Sequence, residues 1–158
     1  SGARSVLMFR GNSHPVEEVY LFNNIFANNH PSNSGARFLW LREGVAGPIE
    51  HDHNLFFDNL TTTDFDLTGE PNGIYDLDPG FAVTPSVPST TAPELPRILE
   101  IARTFALSSD SPAIDAGLDA IARVGHPSWE PALTNRRVDI TGRSRPSSGS
   151  WDLGALEN

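Results

Sequence analysis

The sequence predicts an all-β fold, a parallel β-helix with few coils, and three observations favour it. Two phrases recur in the same order: "LMFRG" begins at Leu7 and "LWLREG" begins 32 residues later at Leu39, while "NNIFANN" (23–29) returns as "HNLFFDN" (53–59). Short apolar strands repeated at a period of about 20–50 residues are typical of solenoids and propellers. The 13 Gly and 13 Pro residues favour many turns over long helices.

Composition narrows the function classes. The 158 residues are about the length of one domain, and the formal net charge is −9. This acidity opposes a nucleic-acid partner, because phosphate binding needs a basic patch. The absence of Cys excludes disulfides and thiolate catalysis, and all 11 basic residues are Arg, so no lysine Schiff base is available. No segment is long and apolar enough to suggest a membrane span.

Each repeat is expected to contain an apolar strand followed by Arg and Gly, a polar loop, and a second strand that ends at asparagine. Equivalent side chains of stacked coils lie above one another, so the apolar ones should form an interior stack. Asparagine tolerates a left-handed bend, and its amide can hydrogen-bond its counterpart in the next coil. Sugar binding is the alternative role of these asparagines. The predicted pairs are Ile25 with Leu55, Phe26 with Phe56, Asn24 with Asn54, and Asn29 with Asn59.

The chain is expected to form a single domain, 1–158, in three parts. Residues 1–82 form the coils. Residues 83–104 form a surface loop rich in Pro, Ser and Thr, with a short helix within 94–103. Residues 105–158 form a closing segment, needed because an open end exposes apolar interior and unpaired strand edges. An ion-pair set of Asp115, Asp139, Arg143 and Arg145 could hold this segment against the last coil.

Several phrases together resemble one family. "DLDPGFA" (76–82), "FALSSDSPAIDAG" (105–117) and "DITGRSRPSSGSWDLGALE" (139–157) resemble the closing segment of secreted bacterial right-handed parallel β-helix proteins similar to pectate lyases. The resemblance implies a right-handed β-helix with an irregular C-terminal cap. It also implies an extracellular, cell-surface or periplasmic location, and a chain that is a fragment of a longer protein. The closing pattern marks architecture, so its charged residues are expected to be clamps rather than catalysts.

The densest ionisable group is Glu50-His51-Asp52-His53, directly before the second asparagine phrase. On a strand, His51 and His53 would share a face and could bind a metal, or one could act as a base near neutral pH. Two packed or surface imidazoles are the alternative. His51 aligns with Leu21, a position suited to the core, which makes it either a functional exception or a solvated edge.

A second candidate site is the pair Arg10 and Arg42, which are equivalent in the repeat. Stacked coils would bring their backbones about 4.8 Å apart, so the like charges would repel unless an anion lay between them. A uronate chain could be that anion, and Glu43 is the alternative. Polysaccharide lyases of the family that the chain resembles use Arg or Lys, often with Ca²⁺, to remove the proton beside a neutralised carboxylate.

Two functions therefore stay open. The first is lyase-type cleavage of acidic polysaccharide, with hydrolysis as a variant; the second is a non-catalytic cap used in adhesion or assembly. Upstream coils or a second chain are expected to pack on the N-terminal end. No cofactor is certain, although calcium could take part. The predicted catalytic residues are Arg10, Arg42, His51 and His53; the substrate contacts are Trp40, Glu43 and Asn54; the calcium ligands are Asp52 and Asp58.

Overall fold

The computed structural model describes residues 5–9, 15–29, 37–41, 44–45, 47–59, 69–84, 95–124, 137–146, 149–154 and 156–157. These residues form seven short strands and two helices. The elements are β1 (Ser5–Phe9), β2 (Val19–Phe22), β3 (Ile25–Ala27), β4 (Arg37–Leu41), β5 (Ile49–Asp52), β6 (Leu55–Phe57), β7 (Ile74–Tyr75), α1 (Leu95–Arg103) and α2 (Ala120–Val124).

The predicted fold class, an all-β parallel β-helix with an irregular cap, is wrong. The named strands pair in parallel, but they form separate small sheets, β1–β4, β2–β5 and β3–β6–β7. Two or three short strands in each sheet do not build a closed or solenoid structure in the described part of the chain. The helices add 9 and 5 residues, so the fold is not all-β either. The predicted short helix is confirmed, since α1 lies within 94–103.

The strand register that the repeat predicts is confirmed. Leu7 is paired with Leu39, Ile25 with Leu55, and Phe26 with Phe56. The rings of the last pair stack with centroids 5.3 Å apart and planes 17° apart. A third strand, β7, continues this stack, because Tyr75 lies over Phe56 at 5.5 Å.

The bend between the two strands of each repeat occurs at equivalent residues. Asn23 separates β2 from β3 with φ 59°, and His53 begins the bend between β5 and β6 with φ 52°. Asn28 and Asp58, which follow β3 and β6, also have positive φ. Asparagine and aspartate adopt this left-handed conformation more readily than most residues, because their short polar side chains can hydrogen-bond locally. Equivalent bends keep the following strands of the two repeats in register.

The main hydrophobic core lies on one face of the three-stranded sheet. Leu55 of β6 is fully buried against Leu107, Ala113 and Leu153 of the C-terminal segment. Burying one leucine contributes about 1.5–3 kcal/mol. The segment expected to close an end of the stack therefore packs across a sheet face, and the partly buried Ile25 of the first repeat also contacts this core.

Hydrogen bonds from the backbone and from the Asn23 side chain join the C-terminal segment to the first repeat. The Gly154 N–H donates to the Asn23 carbonyl at 2.7 Å. The Asn23 amide donates to the Leu118 carbonyl at 2.7 Å and accepts from the Leu118 N–H at 3.0 Å. Within the segment, Gly117 exchanges two hydrogen bonds with Trp151, and a Cβ at Gly117 would lie 2.8 Å from the Trp151 carbonyl oxygen. Only glycine allows this close approach.

Charged residues of the segment hold its turns in place. Asp139 accepts hydrogen bonds from the backbone N–H groups of Thr141, Arg143 and Glu157, at 2.8, 2.9 and 3.1 Å. Asp152 accepts from the Asp115 N–H at 2.8 Å. Arg137 forms an ion pair with Asp119 at 3.5 Å, and Arg145 forms one with Glu157 rather than with one of the predicted aspartates. The aspartates thus act on the backbone.

Candidate functional site

The predicted site residues are only partly within the described structure. His51 and Asp52 end β5, His53 and Asn54 form the following bend, and Asp58 follows β6. Trp40 lies on β4 opposite Met8, and its side chain lies outside the description. The predicted sites at Arg10, Arg42 and Glu43 also lie outside the described residues.

The asparagine ladder joins the two repeats. Asn54 Oδ1 accepts hydrogen bonds from the backbone N–H and the Nδ2 of Asn24, both at 2.9 Å. Asn59 Oδ1 accepts from the backbone N–H and the Nδ2 of Asn29, at 3.2 and 2.8 Å. These contacts confirm the predicted ladder. Asn54 is completely buried in this ladder. Its predicted contact with substrate stays a prediction.

Glu70, which the sequence analysis did not single out, is the buried acid of this region. Its side chain is 0% exposed. Oε1 accepts from Asn54 Nδ2 at 2.7 Å, and Oε2 accepts from the Asn54 N–H at 3.0 Å. The His51 Nδ1 lies 2.9 Å from Oε1. These three contacts, two from Asn54 and one from His51, compensate for taking a carboxylate out of water.

Glu70 takes the place of a third rung. In register, Ile74 lies opposite Leu55, so Gly73 stands where a further asparagine would continue the ladder. The same two donors that Asn24 offers to Asn54, its backbone N–H and its Nδ2, are offered by Asn54 to the Glu70 carboxylate. The sequence indicates that the ladder ends here, because Gly73 stands at the position of Asn24 and Asn54. It does not indicate that the Glu70 side chain takes the place of the missing asparagine.

His51 lies over Leu21 of the first repeat and is held by Glu70. Its side chain is 18% exposed. Because an ionised carboxylate only accepts hydrogen bonds, Glu70 favours the His51 tautomer with the proton on Nδ1. A neutral imidazole held in this way carries its lone pair on Nε2, which is the arrangement a general base requires.

Asp52 and His53 form a separate group with Asn72. The Asp52 carboxylate accepts from the His53 N–H, the Asn72 N–H and the Asn72 Nδ2, each at 2.9 Å. Burial raises the pKa of Asp52, but the hydrogen bonds from Asn72 and His53 outweigh it and hold that pKa below its ordinary value. The His53 Nδ1 lies 3.3 Å from the Asp52 carboxylate but makes no hydrogen bond to it. The two histidines therefore lie beside different carboxylates, and only His51 is hydrogen-bonded to its neighbour.

The predicted metal ligands lie on β5, in the bend that follows it and after β6. Across the part of the chain that the structure describes, no group of three or more His, Asp or Glu side chains is arranged to hold a metal ion. The oxygens of Asp52 already accept N–H donors, and the exposed Asp58 stands beyond the end of β6. Calcium binding at Asp52 and Asp58 therefore stays a prediction.

A small mixed surface lies on the β2–β5 sheet. The rings of Tyr20 and Phe22 are 6.0 Å apart on β2, and Tyr20 lies opposite Glu50 of β5. Arg123 of α2 forms an exposed ion pair with Glu50 at 3.2 Å. Aromatic rings beside polar groups can contact sugars, but the exposed Tyr20 hydroxyl already donates to Glu18 at 3.1 Å.

In comparisons with known proteins, no family model and no curated protein matches the chain. Among the described helices, none has the length and apolar character needed to cross a membrane.

Proposed function

We propose that the chain is a non-catalytic structural module of a surface or extracellular protein, in which stacked strands serve assembly or adhesion. The observation that carries this proposal is the burial of Glu70 within the ladder. A carboxylate that is 0% exposed and makes three internal contacts contributes to one rigid arrangement and does not reach a substrate directly. The other acids of the folded core act in the same way, since Asp139 and Asp152 bind backbone N–H groups.

The proposed partner of this module is another polypeptide segment that packs beside the first repeat. Strands β1, β2 and β3 each pair with a second-repeat strand on one side, and within the described residues no named strand pairs with their other edge. Such edges are templates for strand addition. We also propose a location at the cell surface, outside the cell or in the periplasm, in line with the family that the sequence resembles.

Assays on polysaccharides test this proposal. The purified chain is expected to release neither unsaturated, ultraviolet-absorbing products from acidic polysaccharides nor reducing ends from neutral ones. Turnover by the chain, lost on the substitution His51→Gln but kept in His53→Gln, would contradict the non-catalytic function. Circular dichroism on both variants separates loss of activity from loss of folding.

The second candidate is lyase-type cleavage of acidic polysaccharide, and the pairing of His51 with Glu70 favours it. An imidazole oriented by a buried carboxylate is suited to remove the proton beside a uronate carboxyl group. In this candidate, His51 is the base, and Arg10 and Arg42 are the proposed partners of the substrate carboxylate. The same assay distinguishes the two candidates, because only the lyase forms an ultraviolet-absorbing product.

A further inference from the structure

We infer that the two ends of the asparagine ladder are unequal, and that a segment carrying another asparagine phrase docks at the Asn24 and Asn29 end. The inference rests on the proposed assembly function and names the chemistry of the partner. That partner is an extended segment with two asparagines five residues apart that flank an apolar residue and a phenylalanine, as in 24–29.

The hydrogen bonds of the ladder have a direction. In both rungs, the first repeat supplies two donors, a backbone N–H and an asparagine Nδ2, and the second repeat supplies one acceptor, Oδ1. Among the described residues, nothing donates to the Oδ1 of Asn24 or of Asn29. The half-buried amides at this end therefore offer two acceptors to the donors of a preceding phrase.

The opposite end of the Asn24–Asn54 ladder is filled. Glu70 accepts both ladder donors of Asn54, and an ionised carboxylate has no hydrogen to donate to a further rung. Gly73 supplies no side chain at the register position, and the Tyr75 ring covers Phe56. Because one end stops the ladder, head-to-tail stacking of identical copies through this ladder is disfavoured, which protects against open-ended fibres.

The outer edge of β3 can also bind this partner segment, as an added parallel strand. In the sheet β3–β6–β7, the first-repeat strand β3 is the outer strand on the side of the open acceptors. A parallel segment paired with β3 in the observed register would place its phenylalanine over Phe26, as Phe56 is placed. Backbone pairing provides affinity in this mode of recognition, and the alternate side chains provide specificity.

The test uses a labelled peptide with the sequence VYLFNNIFANN, identical to residues 19–29, and the intact chain. A matched peptide carries Ala in place of both asparagines that correspond to Asn24 and Asn29. Fluorescence anisotropy is expected to show saturable binding of the first peptide, and binding of the second that is weaker by on the order of tenfold or more. The chain variant Arg103→Gln, changed at an exposed residue at the end of α1, is expected to bind the first peptide as the parent does.

Equal binding of the two peptides would overturn the inference, because it would indicate apolar adsorption without the ladder. Absence of binding by both would also overturn it, while a silent polysaccharide assay would leave the non-catalytic function standing. Sedimentation provides the last outcome. A concentration-dependent dimer that the first peptide dissociates would assign this end to a second copy and would contradict a separate segment as the partner.

Discussion

The two repeats and the C-terminal segment are stabilised in different ways. In the repeats, identical side chains contact each other: Asn54 accepts a hydrogen bond from Asn24, and Phe56 stacks on Phe26. In the C-terminal segment, unlike groups meet once each, as when Asp139 binds backbone N–H groups or Arg145 pairs with Glu157. Contacts between repeated residues can therefore be predicted from the sequence, whereas contacts that occur once leave no pattern in it, even where they matter as much for stability.

The largest loss of stability is expected from a substitution in the core that the repeats share with the C-terminal segment. Leu153 is 1% exposed and packs with Leu55. The substitution Leu153→Ala should lower the free energy of unfolding by about 3–5 kcal/mol, through lost burial and the cavity that remains. Urea unfolding followed by fluorescence measures this change. Val83→Ala, at a residue that is 55% exposed, is the control and should change stability by less than about 0.5 kcal/mol. Similar effects of both substitutions would mean that the segment does not share a core with the repeats.

The next largest loss of stability is expected at Glu70, which ends the asparagine ladder. The substitution Glu70→Ala should lower the free energy of unfolding by about 2–4 kcal/mol, because it leaves the Asn54 donors buried without acceptors. Glu100→Ala, on the exposed side of α1, is the matched loss of one negative charge and should be nearly neutral. An equally small effect at Glu70 would contradict its role in the ladder.

The smallest effect is the pH dependence of the C-terminal turns. Burial raises the pKa of Asp139, but hydrogen bonds from Thr141, Glu157 and Arg143 outweigh it and hold the pKa below its ordinary value. A carboxyl group whose folded pKa is lowered stabilises the fold above its unfolded pKa, about 3.9, and loses this contribution as the pH falls through the folded value.

Stability should therefore fall below about pH 4, and the substitution Asp139→Asn should flatten this part of the profile. Glu157 acts in the opposite direction. Burial raises its pKa despite Arg145, so its contribution is fully present below the unfolded pKa and declines as the pH rises through the folded one. Urea midpoints of parent and variant across this pH range measure the difference. Parallel profiles would contradict the assignment to Asp139.

The sequence predicted the pairs of the repeats and not the fold that contains them. The recurrence of one phrase at a spacing of 30 residues was sufficient for the register of Phe26 on Phe56 and for both asparagine rungs. The number of stacked strands was not encoded in two phrases, so the β-helix prediction went beyond its basis. The packing of Leu153 on Leu55 depends on a distant segment that no local period reports.

The candidate site was predicted in part for the same reason. His51 stood out because it replaced the apolar Leu21 of the first repeat, and it lies beside a buried acid. Glu70 was missed because it has no counterpart at the ladder position of the first repeat; its side chain reaches that position from a turn. The hydrogen bonds that Asp52 accepts from Asn72 were also missed, because Asn72 lies in a turn that the sequence pattern did not connect with β5.

The central claim is that the Glu70 carboxylate serves as the last rung of the asparagine ladder. A double-mutant cycle with Asn54→Ala and Glu70→Ala, measured as free energies of unfolding in urea, tests it most directly. The account predicts strong coupling, with the double variant more stable by about 1–3 kcal/mol than the sum of the single losses implies, because the second substitution removes partners already orphaned by the first. Additive losses would contradict the claim.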